Sequence, residues 1–318
     1  MNRDQVWKNF DLGREIDISG TFIYNGLRCF HEMRTLDDTG EIFEFLYNLS
    51  VGLERLLKVT VILLEHDGSQ DQECFEKTLI THSHQELLRR VRAHAEVKCA
   101  GSHNELLEVL GTFYKSHRYD RYILSGSWNP DKEKEALRRF LERRLKIVLQ
   151  DPTSLFPTQN CDRCKKYIGG LVRKISGQLY QVVHRRAAAI GLNTYEVRHA
   201  SKAAKIFQWG DCSFVHEDIL WKELLVFFMN TKAPSGLVDY LRSIPPLEFD
   251  EALAPDYLQC FQSEKRKQHV MGELEELYRN VEDAGQRHAM IGLIGNPNVD
   301  FDPEPDLIDE STEDGDER

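Results

Sequence analysis

Arg89 and His94 stand five residues apart in the run RRVRAH, and His117, Arg118 and Arg121 crowd into the run KSHRYDRY. An arginine stays charged and holds a phosphate with a planar fork of donors. A histidine titrates near neutrality and carries protons to or from a hydroxyl or a leaving oxygen. Together the two types suit a site that holds a phosphate and moves a proton. Tyr119 and Tyr122 interleave with the second cluster, as aromatic residues do where bases stack. A structural role, with the tyrosines capping a core, competes with that reading. On a straight helix five residues turn roughly 500°, which leaves Arg89 and His94 roughly 140° apart; Arg90 and His94, four apart, share a face instead.

A second group of cations comprises Arg185 and Arg186, followed by Arg198, His199, Lys202 and Lys205 in the run VRHASKAAK. Their helical spacing sets a candidate phosphate-contacting surface. Arg138, Arg139, Arg143 and Arg144 add to it. Between Lys132 and Gly210 seventeen Lys/Arg stand against six Asp/Glu, while residues 300–318 hold ten acids and one base in a chain of net charge −11. A basic middle between acidic ends is compatible with a polyanionic partner. A solvated basic face that pairs with acidic neighbours is equally compatible.

Metal-ligating types are present but badly spaced. His82 and His84 in THSH have no carboxylate at an obvious third position. Cys161 and Cys164 form a C-x-x-C, and Cys212 with His216 follows about fifty residues on, a donor set of zinc-binding type. One C-x-x-C is a weak signal, and a dithiol or unrelated cysteines is the simpler reading. The expectation is therefore no metal and no cofactor. There is also no Walker A loop, no dinucleotide-binding glycine loop, no G-x-S-x-G and no H-E-x-x-H, which makes most familiar enzyme classes less probable.

The elements that must position these residues read as helices. Residues 41–65 carry apolar residues at three and four, and turn apolar nearly all round after Leu56, the mark of a central helix. Within it lies GLERLLK, where Glu54 and Lys58 share a face and can pair for roughly 0.2–0.5 kcal/mol. Helices are also expected over 19–33, 104–115, 132–150, 168–189, 217–229 and 264–289, with another opened by Ser83 and Glu86 as a capping box. Strands are expected only over 121–124 and 206–209. The fold class is all-α. Residues 1–150 form one helical bundle; 151–299, after the proline-bearing stretch 151–160, form a basic helical second part or an extension of the same domain. Residues 300–318 form an acidic, disordered tail.

The order GLERLLK, polar loop, THSHQELL, then TFYKSHRYDRY resembles the HEPN (higher eukaryotes and prokaryotes nucleotide-binding) superfamily over residues 19–122. The resemblance implies a small helical bundle that binds RNA or a nucleotide. Many such proteins are dimeric, metal-independent endoribonucleases of toxin–antitoxin or phage-defence systems that use an Arg and a later His; the resemblance thereby makes His94 or His117 the catalytic acid–base candidate and Arg89, Arg118 or Arg121 the catalytic phosphate-holding candidate. Others are non-catalytic nucleic-acid-binding or adaptor modules, with a possible protein partner. The resemblance makes Glu54 and Lys58 family markers.

Seven cysteines in 318 residues, an odd number, do not suggest a disulfide framework. The N-terminal run MNRDQVWKNFDLGREIDISG lacks an apolar core, so no secretory leader is expected, and no apolar run approaches a membrane span. A cytoplasmic location is expected.

Overall fold

Asp38 opens the central helix: its carboxylate accepts the Glu41 backbone N–H at 2.8 Å, as an N-cap does. A computed structural model describes residues 2–99, 101–120, 122, 124, 131–148, 150, 156–192, 197–232 and 235–302. The described residues are all-α, with one isolated β-bridge, Thr35 to Gln159.

The chain divides into two compact units, Met1–Phe214 and Val215–Arg318. In the first, α1 (Arg3–Val6) leads through a π-helical turn into α2 (Leu12–Glu32), and α3 (Thr39–Glu65) follows. Then come α4 (Gln72–Thr78), α5 (His84–His94), α6 (Ser102–Thr112), α7 (Lys132–Leu145), α8 (Asp162–Ala189) and α9 (Lys202–Phe207). Helix α3 packs against α2, α5, α6, α7 and α8. Its Phe45, Leu46, Leu49, Leu53, Leu56 and Leu57 are fully buried. Each such side chain contributes roughly 1.5–3 kcal/mol by leaving water.

Two small residues let backbones meet here. A methyl at Gly52 would lie 2.7 Å from Ile23 Cγ1 and 2.8 Å from the Ile23 backbone N; one at Gly20 would lie 2.5 Å from Ala203 Cα. Ser19 Oγ donates to the Gly52 carbonyl at 2.7 Å in the same contact. Helix α2 is thus clasped between α3 and α9. The C-terminal carbonyls of α3 are met by cations: Lys8 Nζ donates to His66 O at 3.0 Å and Arg186 Nε to Leu63 O at 2.9 Å. Cations at a helix C-terminus satisfy orphan carbonyls and oppose the dipole.

The second unit contains α10 (Val215–Asn230), α11 (Gly236–Ser243), α12 (Ala254–Cys260), α13 (Glu264–Arg279) and α14 (Ala284–Gly292). Tyr257 donates to Glu273 at 2.7 Å and Tyr240 to Met290 O at 2.9 Å. Val238 is buried, whereas no residue of α10 is.

Several sequence expectations meet a different outcome. The division falls after Phe214, and α8 packs on α3 in the same unit as the earlier helices. Residues 151–155 lie outside the described residues, but Thr158 and Asn160 are buried and tied to the α2–α3 turn: Leu36 N donates to Thr158 O at 2.8 Å and Asn160 Nδ2 to Phe30 O at 2.7 Å. Positions 206 and 207 are helical, not a strand, because Ala203, Ala204, Ile206 and Phe207 bury one side of α9. The expectation over 121–124 falls partly outside the described residues. The stretch 264–289 is two helices broken around Asn280. Helix α7 stops at Leu145, where Lys146 takes φ +51°. Residues 303–318 lie outside the described residues.

Candidate functional site

Glu54 sits on α3 and is 7% exposed. An unpartnered carboxylate there would carry a heavy desolvation cost, so its partners define the place. Lys58 Nζ, one turn on, donates to Glu54 Oε1 at 2.7 Å. From the far side, His82 Nδ1 lies 3.2 Å from Oε1 and 3.1 Å from Oε2. The two sequence markers, GLERLLK and THSH, thus meet at one carboxylate.

The third marker joins them. The Tyr114 ring stands edge-on to His82 with centroids 5.1 Å apart. The Arg118 guanidinium lies 3.7 Å from the Tyr114 centroid and 4.5 Å from that of Tyr119. Cation–π stacking of this kind orients the planar guanidinium. A π-helical segment, Phe113–His117, carries the chain from α6 to Arg118. Such wide turns recur at functional sites.

Beside this cluster opens a cleft of about 340 Å³, lined by residues that include Trp7, Glu54, Arg55, Lys58 and Tyr114. Arg55 pairs there with Glu15. The lining combines aromatic faces with fixed charges, as small-molecule and nucleotide sites do. With Nδ1 given to Glu54, Nε2 of His82 is the ring nitrogen left for proton transfer, and half of the side chain is exposed.

The two histidines of THSH divide their roles. His84 is completely buried on α5 and its Nε2 meets the Ser50 carbonyl at 2.9 Å. Burial pushes its imidazole below the ordinary 6.5, against the raising pull of the Ser50 carbonyl and Glu54. Ser83 separates them as the α5 N-cap, its Oγ accepting Glu86 N at 3.3 Å.

The other expected site residues fall as follows. Arg89 is exposed and pairs with Glu86 at 3.1 Å. His94 is exposed and lies 3.8 Å from Glu65, which Arg90 holds at 2.5 Å. Arg90 and His94 therefore share a carboxylate, while Arg89 takes another on the same helix. His117 is half-buried, Tyr119 and Tyr122 are exposed, and Arg121 lies outside the described residues.

In the basic middle, Lys205 is buried and pairs with Asp211 at 2.9 Å, so it offers no ammonium to a ligand. Lys202 donates to Asn25 at 2.8 Å and lies over Tyr24, and Arg186 caps α3. Arg185, Arg198 and His199 remain exposed. Arg138 is buried on Asp37, Arg139 pairs with Glu135, and Arg143 and Arg144 share Glu105. Much of the positive charge in this stretch is thus matched by acidic neighbours. Among the described residues no group of three or more His, Cys, Asp and Glu is placed to hold a metal ion.

Nothing local marks His82 as a proton carrier, because its carboxylate lies 28 residues away in the chain. The usable signal was the polar HS inserted between an apolar strip and the capped helix. Compared with family models, with curated proteins and with solved structures, the chain matches none.

Proposed function

We propose that this chain acts on RNA or a nucleotide at the Glu54–His82 pair and the cleft beside it, as a HEPN-like, metal-independent endoribonuclease. The observation that carries the reading is convergence: Glu54, His82, Tyr114 and Arg118 come from three separated motifs and meet at one point. Glu54 orients the His82 ring, as the carboxylate of a catalytic dyad does. His82 Nε2 takes the proton of a ribose 2′-hydroxyl. That oxygen attacks phosphorus, and the 5′-oxygen leaves with a proton taken from solvent, while the imidazolium later gives its proton to solvent. The products are a 2′,3′-cyclic phosphate and a 5′-hydroxyl. Arg118 holds the phosphate, and Tyr114 and Tyr119 offer faces to a base. A homodimer and a toxin or phage-defence setting belong to the same proposal and rest on the resemblance; a cytoplasmic location is proposed with them.

One observation favours binding without cleavage. In-line displacement uses both a base and an acid, and among the described residues His82 is the one histidine in contact with Glu54 through its side chain. A non-catalytic nucleic-acid-binding or adaptor module would use the same cleft. The test is incubation of the purified chain with labelled structured RNA in excess EDTA. Cleavage that survives EDTA, leaves a cyclic phosphate, persists in His94→Ala and disappears in His82→Ala establishes the ribonuclease. Salt-sensitive binding without cleavage establishes the binding module.

A further inference from the structure

Cys161 and Cys164 lie at the start of α8, Cys161 as its N-cap and Cys164 in its first turn. Their sulfurs are 3.6 Å apart. The two thiols differ sharply in setting. Cys161 is exposed and Cys164 is completely buried. Burial pushes the Cys164 thiol up to about 12. The Cys164 backbone N–H draws the Cys161 thiol below its ordinary value. One sulfur is therefore the accessible nucleophile and the other is held back beneath it, the division of labour that thiol–disulfide exchange requires.

The surroundings fit an incoming disulfide. A cleft of about 280 Å³ opens beside Cys161, lined by Ile147, Val148, Gln150, Pro157, Thr158 and Gln159. The segment that carries Cys161 is anchored: Thr158 N donates to Asp37 Oδ2 at 2.6 Å, Gln150 N to Thr158 Oγ1 at 2.9 Å, and Asn160 N to Arg34 O at 2.8 Å. Closing a bond requires the sulfurs to come to about 2.05 Å, a movement that a side-chain rotation of the N-cap residue supplies.

We propose that Cys161 and Cys164 form a thiol–disulfide exchange site that reacts with low-molecular-weight disulfides. The Cys161 thiolate attacks one sulfur of the small disulfide and releases one thiol, leaving a mixed disulfide on Cys161. Cys164 then gives up its proton and attacks the Cys161 sulfur. The second small thiol leaves with that proton, and the chain carries a Cys161–Cys164 disulfide. Two protein thiols are oxidised and one small disulfide is reduced to two thiols. The site is independent of the Glu54 cleft, and its test does not depend on any nuclease activity.

The test equilibrates the full reduced chain with oxidised and reduced glutathione and reads the cysteines by peptide mass spectrometry. The expected product is the Cys161–Cys164 disulfide, with Cys164→Ser trapping glutathione on Cys161 and Cys161→Ser taking up none at position 164. In the untouched chain at pH 7, iodoacetamide should modify Cys161 about three- to tenfold faster than the exposed Cys74. Equal rates at Cys161 and Cys74, together with free Cys161 and Cys164 in the most oxidising buffer, overturn the proposal.

Discussion

His82 and Glu54 touch across 28 residues of sequence, imidazole Nδ1 to carboxylate Oε2 at 3.1 Å. The carboxylate is buried and the imidazole half-exposed, so the pair faces the protein on one side and solvent on the other. If this pair moves protons, His82→Ala should lower single-turnover RNA cleavage about 10²–10⁴-fold, the usual contribution of a general acid–base. Glu54→Gln should show a comparable loss with its far-ultraviolet circular dichroism unchanged. Normal cleavage in both variants would remove the dyad.

Arg118 stacks on two tyrosines, whereas Arg89 points into solvent beside Glu86. Arg118→Ala should weaken single-stranded RNA binding and flatten the slope of log affinity against log salt by about 0.7, one phosphate contact. Arg89→Ala should leave both unchanged. Fluorescence anisotropy across a salt series reads the difference, and the reverse ranking would return the site to the Arg89–His94 region.

His84 ties stability to pH. Burial holds its folded pKa below 6.5, while the unfolded chain takes up a proton near 6.5. Below that pH the unfolded state binds more protons than the folded state, so this residue's contribution to stability falls as pH falls. Urea midpoints should therefore drop from pH 7.5 to pH 5.5. His84→Gln should drop less, and an equal drop would assign the effect to other groups.

Gly52→Ala inserts a methyl 2.7 Å from Ile23 Cγ1 and 3.0 Å from Ser19 O. Overpacking of this kind costs about 1–3 kcal/mol. Chemical denaturation should show that loss, while Gly170→Ala, where a methyl meets open space within a helix, should be neutral or stabilising. Equal effects at the two glycines would mean that the α2–α3 contact yields easily.

The all-α class and the placing of Glu54 and Lys58 on one face were legible in the sequence, because both follow from local helical periodicity. The Ser83 N-cap was legible for the same reason. Contacts at long range were not. Arg138 looks like one more cation on a basic helix, and nothing local announces Asp37, its partner 101 residues earlier. Lys205 follows Lys202 at helical spacing, yet the packing of α9 on α2 buries it and leaves Lys202 outside. His82 and His84 are alike in type, yet the cap between them leaves one against the Glu54 carboxylate and the other in the core. The position of the unit boundary was hidden too, because Thr158 and Asn160, at the end of the stretch that resembles a linker, are pinned to the α2–α3 turn.

Helix α3 supplies both the centre of the first unit and the carboxylate of the cleft. Amide hydrogens around Leu53 should exchange only when the whole unit opens, since helices pack on α3 from several sides. Glu54 should thus belong to the slowest-exchanging part of the first unit. Local fraying can expose His82 or Arg118 without displacing the carboxylate beneath them. Heating should accordingly leave the Glu54 carboxylate in place until the core of the first unit melts, even where His82 or Arg118 has already frayed away.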